Sequence, residues 1–401
     1  MSDGPVTSET LREEHPPQAS SPPKPSAARQ PAWRRALRTA ILPATAIGLA
    51  LVVGAIIMIA SSPLVRGSIN PMLPITAYGA LIAGSLGSFN AIVSTLVQAT
   101  PLILAGLAVG IGFKAGLFNI GAQGQFLIGA LAAAAMGIST AELSPVVAIP
   151  LALLAGAVAG LAYGFIPGFL KAYTGAHEVV TTIMLNYVAI QIVAYVVSGP
   201  LRGASVTFAR TDTITSAALP IVIGRDGHIG ILFAAIAVPL IAWLLFRSTL
   251  GFEIRTVGAN PDAARYAGMH PRRLITMTMA LGGLLAGLAG AIEILGQTRH
   301  MPAAYATSVG FDAIAVALLG RAHPVGILFA GLLFGAMRAG AGLMQIQAGI
   351  PVQMINVLQA VILFFLAADI IVRAIFRIRA EGTGVSELQT VTRSYGEQVA
   401  K

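Results

Sequence analysis

The sequence predicts an all-α, polytopic membrane protein with about ten transmembrane helices. Composition is the first observation behind this prediction, because the chain is 56% hydrophobic and only 10% charged, whereas soluble domains carry about 25% charged residues. Apolar runs of about twenty residues, each long enough to cross a bilayer core, recur along most of the chain. The runs are continuous and do not alternate with polar residues, which argues against a β-barrel.

The formal net charge of +9 does not indicate a nucleic-acid partner. Lysine and arginine cluster at the ends of the apolar runs, as the positive-inside rule expects of a membrane protein. The chain has no cysteine, so disulfides, thiolate chemistry and cysteine metal sites are excluded. Its six histidines are scattered without a ligand-like spacing, so we expect no metal site.

The first elements are a tail and an uncleaved span. Residues 1–38 are rich in proline, serine and alanine, and we expect a disordered cytoplasmic tail. Arg34, Arg35 and Arg38 precede the first apolar run, residues 41–60, and this basic flank predicts a cytoplasmic N-terminus. A cleaved signal peptide is the alternative, but the run is long and no small-x-small site follows it. Residues 61–90 are broken by prolines and predict an outer interfacial or re-entrant helix.

The next elements are long apolar spans with a basic insertion among them. We expect spans over residues 91–112, 116–137, 145–165, 179–198, 229–246 and 274–296, with an outer loop at 199–228. They belong to a transmembrane domain predicted over residues 39–378, and a cytoplasmic tail over 379–401 follows.

The apolar segment 308–319 decides the topology, since it is shorter than a full span. Spans over 325–343 and 352–378 follow it, and Arg373, Arg377 and Arg379 lie at the end of the second. If 308–319 does not cross the bilayer, these arginines lie outside. If it crosses as a half-helix they lie inside, which the positive-inside rule prefers, and both termini are then cytoplasmic.

The basic insertion, residues 247–273, contains a short helix with clear signals at both ends. Asn260 can cap the first free amides, Pro261 suits the first helical position, and Asp262 suits the helix dipole. Gly268 can adopt the left-handed conformation that ends a helix. We interpret this helix as a docking device; a solvated linker is the alternative. Its residues are Asn260, Pro261, Asp262, Ala263, Ala264, Arg265, Tyr266 and Gly268.

Two further patterns lie within the spans. LAGLAVGI (104–111) resembles LAGLAGAI (285–292), and Phe-Asn (118–119) or Phe-Asp (311–312) follows; with the predicted topology this indicates an inverted repeat. Glycines recur every fourth residue along two predicted helices, which favours close helix packing. They are Gly156, Gly160, Gly164 and Gly168, and Gly331 and Gly335 with Ala339.

Polar residues at membrane depth need a partner or water. Asn119 and Gln123 are four apart, so on a helix they share a face. Either they and Asn186 line a weakly polar translocation path with Asp312, or they join helices by hydrogen bonds. For Glu293 we favour a structural role.

The sequence contains no P-loop and neither of the hydrolase motifs H-E-x-x-H and G-x-S-x-G in a suitable context. The chain is therefore not expected to hydrolyse nucleotides or to carry catalytic residues. Membrane acids are too few for the carboxylate and histidine chain of a proton pump.

Four stretches of the chain resemble the permease subunits of bacterial ABC importers. They are GLFNIGAQGQFLIGALAA (116–133), HEVVTTIMLNYVA (177–189), the basic insertion, and GFDAIAVALLGRAHPVGILFAGLLFG (310–335). The branch is that of the ribose and branched-chain amino-acid permeases, and the nucleoside group within it is the most similar. The resemblance covers about residues 40–375.

The resemblance implies a type II importer-like permease in the plasma membrane. D-A-A-R-Y-A-G (262–268) looks like the EAA-type coupling loop, with aspartate in place of glutamate, whose helix docks on a cytoplasmic ATPase. It further implies ATP and magnesium on that ATPase and none on this chain, an extracellular solute-binding protein, and a second permease subunit, related or identical. The residues leave open sugars or branched-chain amino acids as cargo, an ion-driven carrier, and a structural membrane protein.

Overall fold

The computed structural model of the chain describes residues 32–66, 68–204, 208–305 and 307–367. The chain divides into two compact units, residues 1–41 and 42–401. The described part of the first unit is the start of a helix, and the second unit holds the remaining elements. Residues 1–31, the tail 379–401 and the arginines at 373, 377 and 379 lie outside the described residues.

The described residues fold almost entirely into helices. In chain order the α-helices are α1 (Ala32–Arg66), α2 (Leu73–Leu86), α3 (Phe89–Lys114), α4 (Ala122–Ser139), α5 (Pro145–Phe169), α6 (Glu178–Ser198), α7 (Gly230–Arg247), α8 (Thr249–Ala259), α9 (Pro261–Tyr266), α10 (Pro271–Glu293), α11 (Val309–Leu319), α12 (Pro324–Ala348) and α13 (Met354–Ala367). Single π-turns extend two of them, Leu170–Thr174 after α5 and Ile294–Thr298 after α10. A short antiparallel hairpin joins β1 (Ile221–Ile223) to β2 (Gly227–His228).

Eight helices of the described ranges are long and apolar enough to cross a bilayer. They are Ala44–Pro63, Phe89–Lys114, Ala122–Ser139, Pro145–Thr174, Glu178–Ser198, Gly230–Arg247, Pro271–Thr298 and Pro324–Ala348. Three shorter apolar helices accompany them, Leu73–Leu86, Val309–Leu319 and Met354–Phe365. The predicted all-α polytopic architecture is confirmed, whereas the number ten stays a prediction, as does the crossing of 308–319.

Two predicted elements differ from the observed ones. The third span begins at Ala122 and not at residue 116, because Gly116 adopts a left-handed φ of 71° and the chain turns until α4 starts. The outer loop 199–228 is not wholly irregular, since it contains the β1–β2 hairpin. This hairpin packs against the start of α3, where Val93 contacts Gly227.

The glycine stripe of α5 packs directly against α10; the close packing was predicted, but the partner helix was not. A Cβ atom on Gly160 would lie 2.6 Å from the Cα atom of Gly287, and one on Gly164 would lie 2.9 Å from the Cα atom of Gly283. Real side chains do not fit at such separations, so the two backbones are in contact along this seam. We call the contact of Gly156, Gly160 and Gly164 with Gly283 and Gly287 the glycine seam, and Gly168 continues the stripe against Thr276 and Met279 of α10.

The second small-residue stripe brings α12 against α3. A Cβ atom on Gly335 would lie 2.6 Å from the Cβ atom of Ala99, and one on Gly331 would lie 2.5 Å from Ile103. Thus α3 from the first half of the chain packs on α12 from the second, while α10 from the second half packs on α5 from the first. The inverted repeat that the sequence indicated stays a prediction.

Candidate functional site

The short helix α9 begins with the caps that the sequence predicted. The Oδ1 atom of Asn260 accepts hydrogen bonds from the backbone N–H groups of Asp262 and Ala263, both at 3.0 Å. Pro261 occupies the first helical position and Asp262 lies in the first turn. Asn260 has extended backbone angles. It is also the C-cap residue of α8, because its N–H donates to the carbonyl of Thr256. One residue therefore ends α8 and starts α9.

The end of α9 is a Schellman motif centred on Gly268. Gly268 has a φ of 80°, its N–H donates to the Arg265 carbonyl, and the Met269 N–H donates to the Ala264 carbonyl, both at 3.0 Å. This is the pair of bonds expected where a left-handed residue ends a helix. The predicted stop at Gly268 is confirmed.

One face of α9 is anchored and the other is free. Ala264 is fully buried and packs with Val257 of α8 and Leu274 of α10. On the opposite side Tyr266 is 94% exposed, and Asp262 and Arg265 face solvent with their charged atoms 3.9 Å apart. A helix that exposes a large aromatic ring beside charged groups presents a surface suited to a protein partner.

The helix α8 was not predicted as a separate element, and it holds α9 to the bundle. Ser248 caps it by accepting a hydrogen bond from the Gly251 N–H at 3.0 Å. Ile254 is buried against Ala115 and Leu117 after α3 and against Met279 of α10. Its sequence did contain a signal, since Leu250, Ile254 and Val257 follow a helical apolar spacing.

Aromatic contacts fix the outer surface of α8 to the neighbouring helix ends. The Arg255 guanidinium lies 5.4 Å above the ring of Phe246 at the end of α7. That ring stacks on His323, with ring centroids 5.1 Å apart. Burial, and to a smaller extent the Lys114 ammonium, lowers the pKa of His323.

Asn119 does not share a helix face with Gln123, because it precedes α4 in the turn that follows Gly116. Its Oδ1 atom accepts a hydrogen bond from the Gly121 N–H at 2.9 Å, and its Nδ2 atom donates to Gln125 at 3.2 Å. Both amide side chains are 1% exposed. The prediction of one common face was therefore wrong, since it assumed that the helix began at residue 116.

Gln123 and Asn186 join the start of α4 to two other elements. The Gln123 amide donates to the Thr307 carbonyl at 2.8 Å and accepts from the Gly310 N–H at 2.9 Å. Asn186 of α6 accepts from the Gly124 N–H at 2.8 Å and donates to a backbone carbonyl at 3.0 Å. In this conformation these amides join helices by hydrogen bonds, which is one of the two roles that the sequence suggested for them. A role in lining a translocation path stays a prediction.

Asp312 lies in a charged cluster that sequence reasoning found only in part. Its carboxylate pairs with the guanidinium of Arg338, which also donates to Ser308 at 3.1 Å. Nearby, the Tyr305 hydroxyl donates to Glu293 at 2.8 Å. Arg338 was not predicted as a site residue, although a single arginine inside the apolar run of α12 was a visible signal. An intramembrane charge of this kind needs a partner, and here Asp312 is that partner.

The chain matches the model of one protein family over residues 91–367, namely "Branched-chain amino acid transport system / permease component". The match begins in α3 and ends with the described part of α13, so it contains α8, α9, the buried amides and the Asp312–Arg338 pair. No solved structure gives a significant match.

Relatives of known function are similar over most of the chain. A guanosine ABC transporter permease of Bacillus subtilis is 39% identical over 83% of this chain and 94% of its own length. A glucose ABC transporter permease of Haloferax volcanii is 38% identical over 73% of this chain and 80% of its own length. A nucleoside ABC transporter permease of Lactococcus lactis is 35% identical over 90% of this chain and 98% of its own length.

Proposed function

The chain belongs to the family of branched-chain amino acid transport system permease components, and from that premise we propose that it is the membrane permease subunit of an ATP-driven nucleoside importer. The observation that carries this proposal is α9, a helix capped at both ends and held to the bundle by one buried residue, with its other side exposed. That arrangement supports docking on a cytoplasmic ATPase through Asn260–Gly268.

A continuous set of packed groups leads from α9 into the bundle. Ala264 contacts Val257 of α8, and Gly258, the next residue of α8, lies against the backbone of Ala115 at the end of α3. From there the chain turns into Asn119 and the buried amides at the start of α4. A displacement of α9 would therefore reach the helix ends that these amides hold together, which is how ATPase closure would alter the translocation path.

The partners and cofactors follow from this role. We propose a cytoplasmic ABC ATPase that binds ATP and magnesium, a second permease subunit that is a related chain or another copy, and an extracellular solute-binding protein. This chain would hold no cofactor and perform no catalysis. It would lie in the plasma membrane with both termini in the cytoplasm, the orientation in which α8 and α9 face an ATPase.

Nucleosides are the cargo we favour, because two of the three relatives above carry guanosine or nucleoside in their names. The glucose permease at 38% identity supports sugars as the second candidate. Uptake of radiolabelled guanosine should be compared in cells with and without this chain, with unlabelled guanosine, ribose, glucose and leucine as competitors. Uptake that persists after ATP depletion but collapses with the ion gradients would contradict the ABC importer.

The conformation of Gly268 provides a sharp test of the docking role. Gly268→Val should lower uptake at least tenfold, because a left-handed φ costs a non-glycine residue about 1–2 kcal/mol and valine would open the Schellman motif. No atom lies within 4 Å of a Cβ placed at this position, so the substitution acts on the backbone and not by a clash. Uptake and the amount of chain in the membrane are measured together.

The matched control for this test is Gly268→Asn. Asparagine tolerates the left-handed conformation, so this variant should retain most of the uptake. Equal uptake by the valine and asparagine variants at equal membrane levels would contradict a role for the helix stop in coupling.

The orientation of the chain is tested with a tag placed after Lys401. The tag should be labelled only after the cells are permeabilised, because α11 is expected to cross the bilayer as a half-helix and to bring the C-terminus inside. Labelling of the tag in intact cells would overturn this topology.

A further inference from the structure

A polar cavity lies at the end of the bundle opposite to α8 and α9. It has a volume of about 280 Å³ and lies between the first turns of α3, the β1–β2 hairpin and the π-turn after α10. Its polar lining consists of Ser94, Gln98, Asp226, Gln297 and Arg299. From Ser94 to the end of α3 beside α8 there are twenty residues, which corresponds to about 30 Å along the helix. In the proposed orientation this cavity opens outward.

The π-turn Ile294–Thr298 determines which side chains reach the cavity. The turn ends at Arg299, a non-glycine residue with a left-handed φ of 54°, whose N–H donates to the Ile294 carbonyl at 2.8 Å. The Leu295 carbonyl accepts the N–H of Leu219 from the outer loop at 3.0 Å. The loop thus holds the turn in place, and Gln297 and Arg299 both line the cavity. Such π-turns and strained residues occur frequently at functional sites.

The hydrogen-bonding groups in the cavity are only partly used within the protein. Gln98 donates to Gln297 at 3.2 Å, which leaves the buried Nε2 atom of Gln297 without a partner among the described residues. Over the same residues, no hydrogen bond or ion pair involves the Asp226 carboxylate or the Arg299 guanidinium. Asp226 is exposed and Arg299 is half-buried, so water reaches both charges. The Nε2 atom of Gln297 is a buried donor, which is costly to leave without a partner, and a ligand acceptor would satisfy it.

The hairpin places an uncharged histidine, His228, beside the cavity. His228 is 1% exposed and lies against Gly296 of the π-turn. Burial, and secondarily the positive charge of Arg299, lowers the pKa of His228 to about 4. The imidazole therefore adds no charge at neutral pH, and the Asp226 and Arg299 side chains provide the charges of the lining.

These groups match the chemistry of a nucleoside in three respects. Glutamine amides pair with the donor and acceptor edge of adenine, and arginine pairs with the O6 and N7 atoms of guanine. A carboxylate is the group that proteins use to hold a ribose hydroxyl. A free sugar would leave the glutamine pair without a planar partner, and an aliphatic amino acid would contact Val97 and Ile221 but leave that pair unused.

We propose that this cavity, lined by Gln98, Gln297, Asp226 and Arg299, binds a nucleoside on the permease itself, with the base at the two glutamines and the arginine and the ribose at Asp226. The proposal rests on the proposed function, which supplies the cargo class. It adds that the permease holds the nucleoside after the binding protein releases it and before it passes between the helices.

The test is equilibrium binding of radiolabelled guanosine to the purified full chain in lipid nanodiscs. Wild type should bind, and Gln297→Leu should weaken binding at least tenfold because the amide partner of the base is lost. Asp226→Asn should weaken binding of guanosine but leave that of the 2′,3′-dideoxy analogue unchanged. Gln191→Leu is the matched control, since Gln191 is exposed on α6 and lies outside the cavity, and it should bind as wild type does.

Different failures of this test have different meanings. Equal binding by wild type and Gln297→Leu, with the same thermal unfolding temperature for both, would overturn the cavity proposal. So would an absence of guanosine binding to wild type. If guanosine uptake by cells still depends on the chain in either case, the importer assignment stands. If ribose, glucose or leucine displaces guanosine more strongly than guanosine itself does, the nucleoside assignment falls as well.

Discussion

Gly160→Leu is expected to prevent stable assembly of the helix bundle. Gly160 lies in the glycine seam, where a Cβ atom would approach the Cα atom of Gly287 to 2.6 Å and its backbone nitrogen to 2.9 Å. The opposing atoms belong to the backbone of α10. No change of side-chain rotamer can therefore make room for the leucine side chain. Overpacking in a well-packed core costs about 1–3 kcal/mol and occasionally more, and contact with a rigid backbone lies at the upper end.

The measurement is the yield of monodisperse chain in mild detergent, with its thermal unfolding temperature. Gly160→Leu should lower the yield at least tenfold. Gly342→Leu on α12 is the control, because nothing lies within 4 Å of a Cβ atom there, and its yield should equal that of wild type. A Gly160→Leu protein that unfolds at the wild-type temperature would contradict direct backbone contact between α5 and α10.

Arg338→Met is expected to have the second large effect. The side chains of Arg338 and Asp312 are only 19% and 18% exposed, so removal of the arginine leaves a carboxylate without its charge partner at membrane depth. Loss of one partner of a buried ion pair costs on the order of 3–5 kcal/mol. We expect a clear fall in unfolding temperature and the loss of uptake.

A double substitution separates the ion pair from the packing of the arginine stem. Arg338→Met combined with Asp312→Asn removes both charges and should recover much of the unfolding temperature, because no unpaired charge remains. Arg265→Met is the control for an exposed ion pair, since Asp262 and Arg265 are 80% and 70% exposed. It should unfold at the wild-type temperature, as exposed ion pairs contribute little. A double variant less stable than both single variants would refute the pairing.

The elements that sequence could predict are those fixed by local chemistry. The apolar runs gave the positions of α3, α6, α7 and α10 within a few residues, because bilayer thickness sets their length. The caps of α9 were also readable, since Asn260, Pro261 and Gly268 each satisfy a local backbone requirement. The glycine seam was predicted as close packing, but its partner, Gly283 and Gly287 of α10, was not.

The elements that sequence missed depend on contacts between distant parts of the chain. The start of α4 is an exception, because Gly116 is a local signal that was overlooked: its N–H donates to the Phe113 carbonyl and the Leu117 N–H donates to the Gly112 carbonyl, as expected where a left-handed glycine ends a helix. The cavity lined by Gln98 and Gln297 was missed because these residues lie 199 positions apart and only the fold brings them together. The π-turn that aims Gln297 has no known local sequence signal, and the pairing of Arg338 with Asp312 needed the packing of α11 on α12.

The sharing of Asn260 by α8 and α9 has a mechanical consequence. A flexible tether between the helices would absorb a displacement of α9 before any of it reached the bundle. With one intervening residue, the slack is limited to about one Cα–Cα step, 3.8 Å, and motion of α9 relative to α8 is restricted to rotation about the φ and ψ bonds of that residue. Because Ala264 of α9 also packs on Val257 of α8, this contact opposes such rotation, so the two helices keep a nearly fixed separation and orientation.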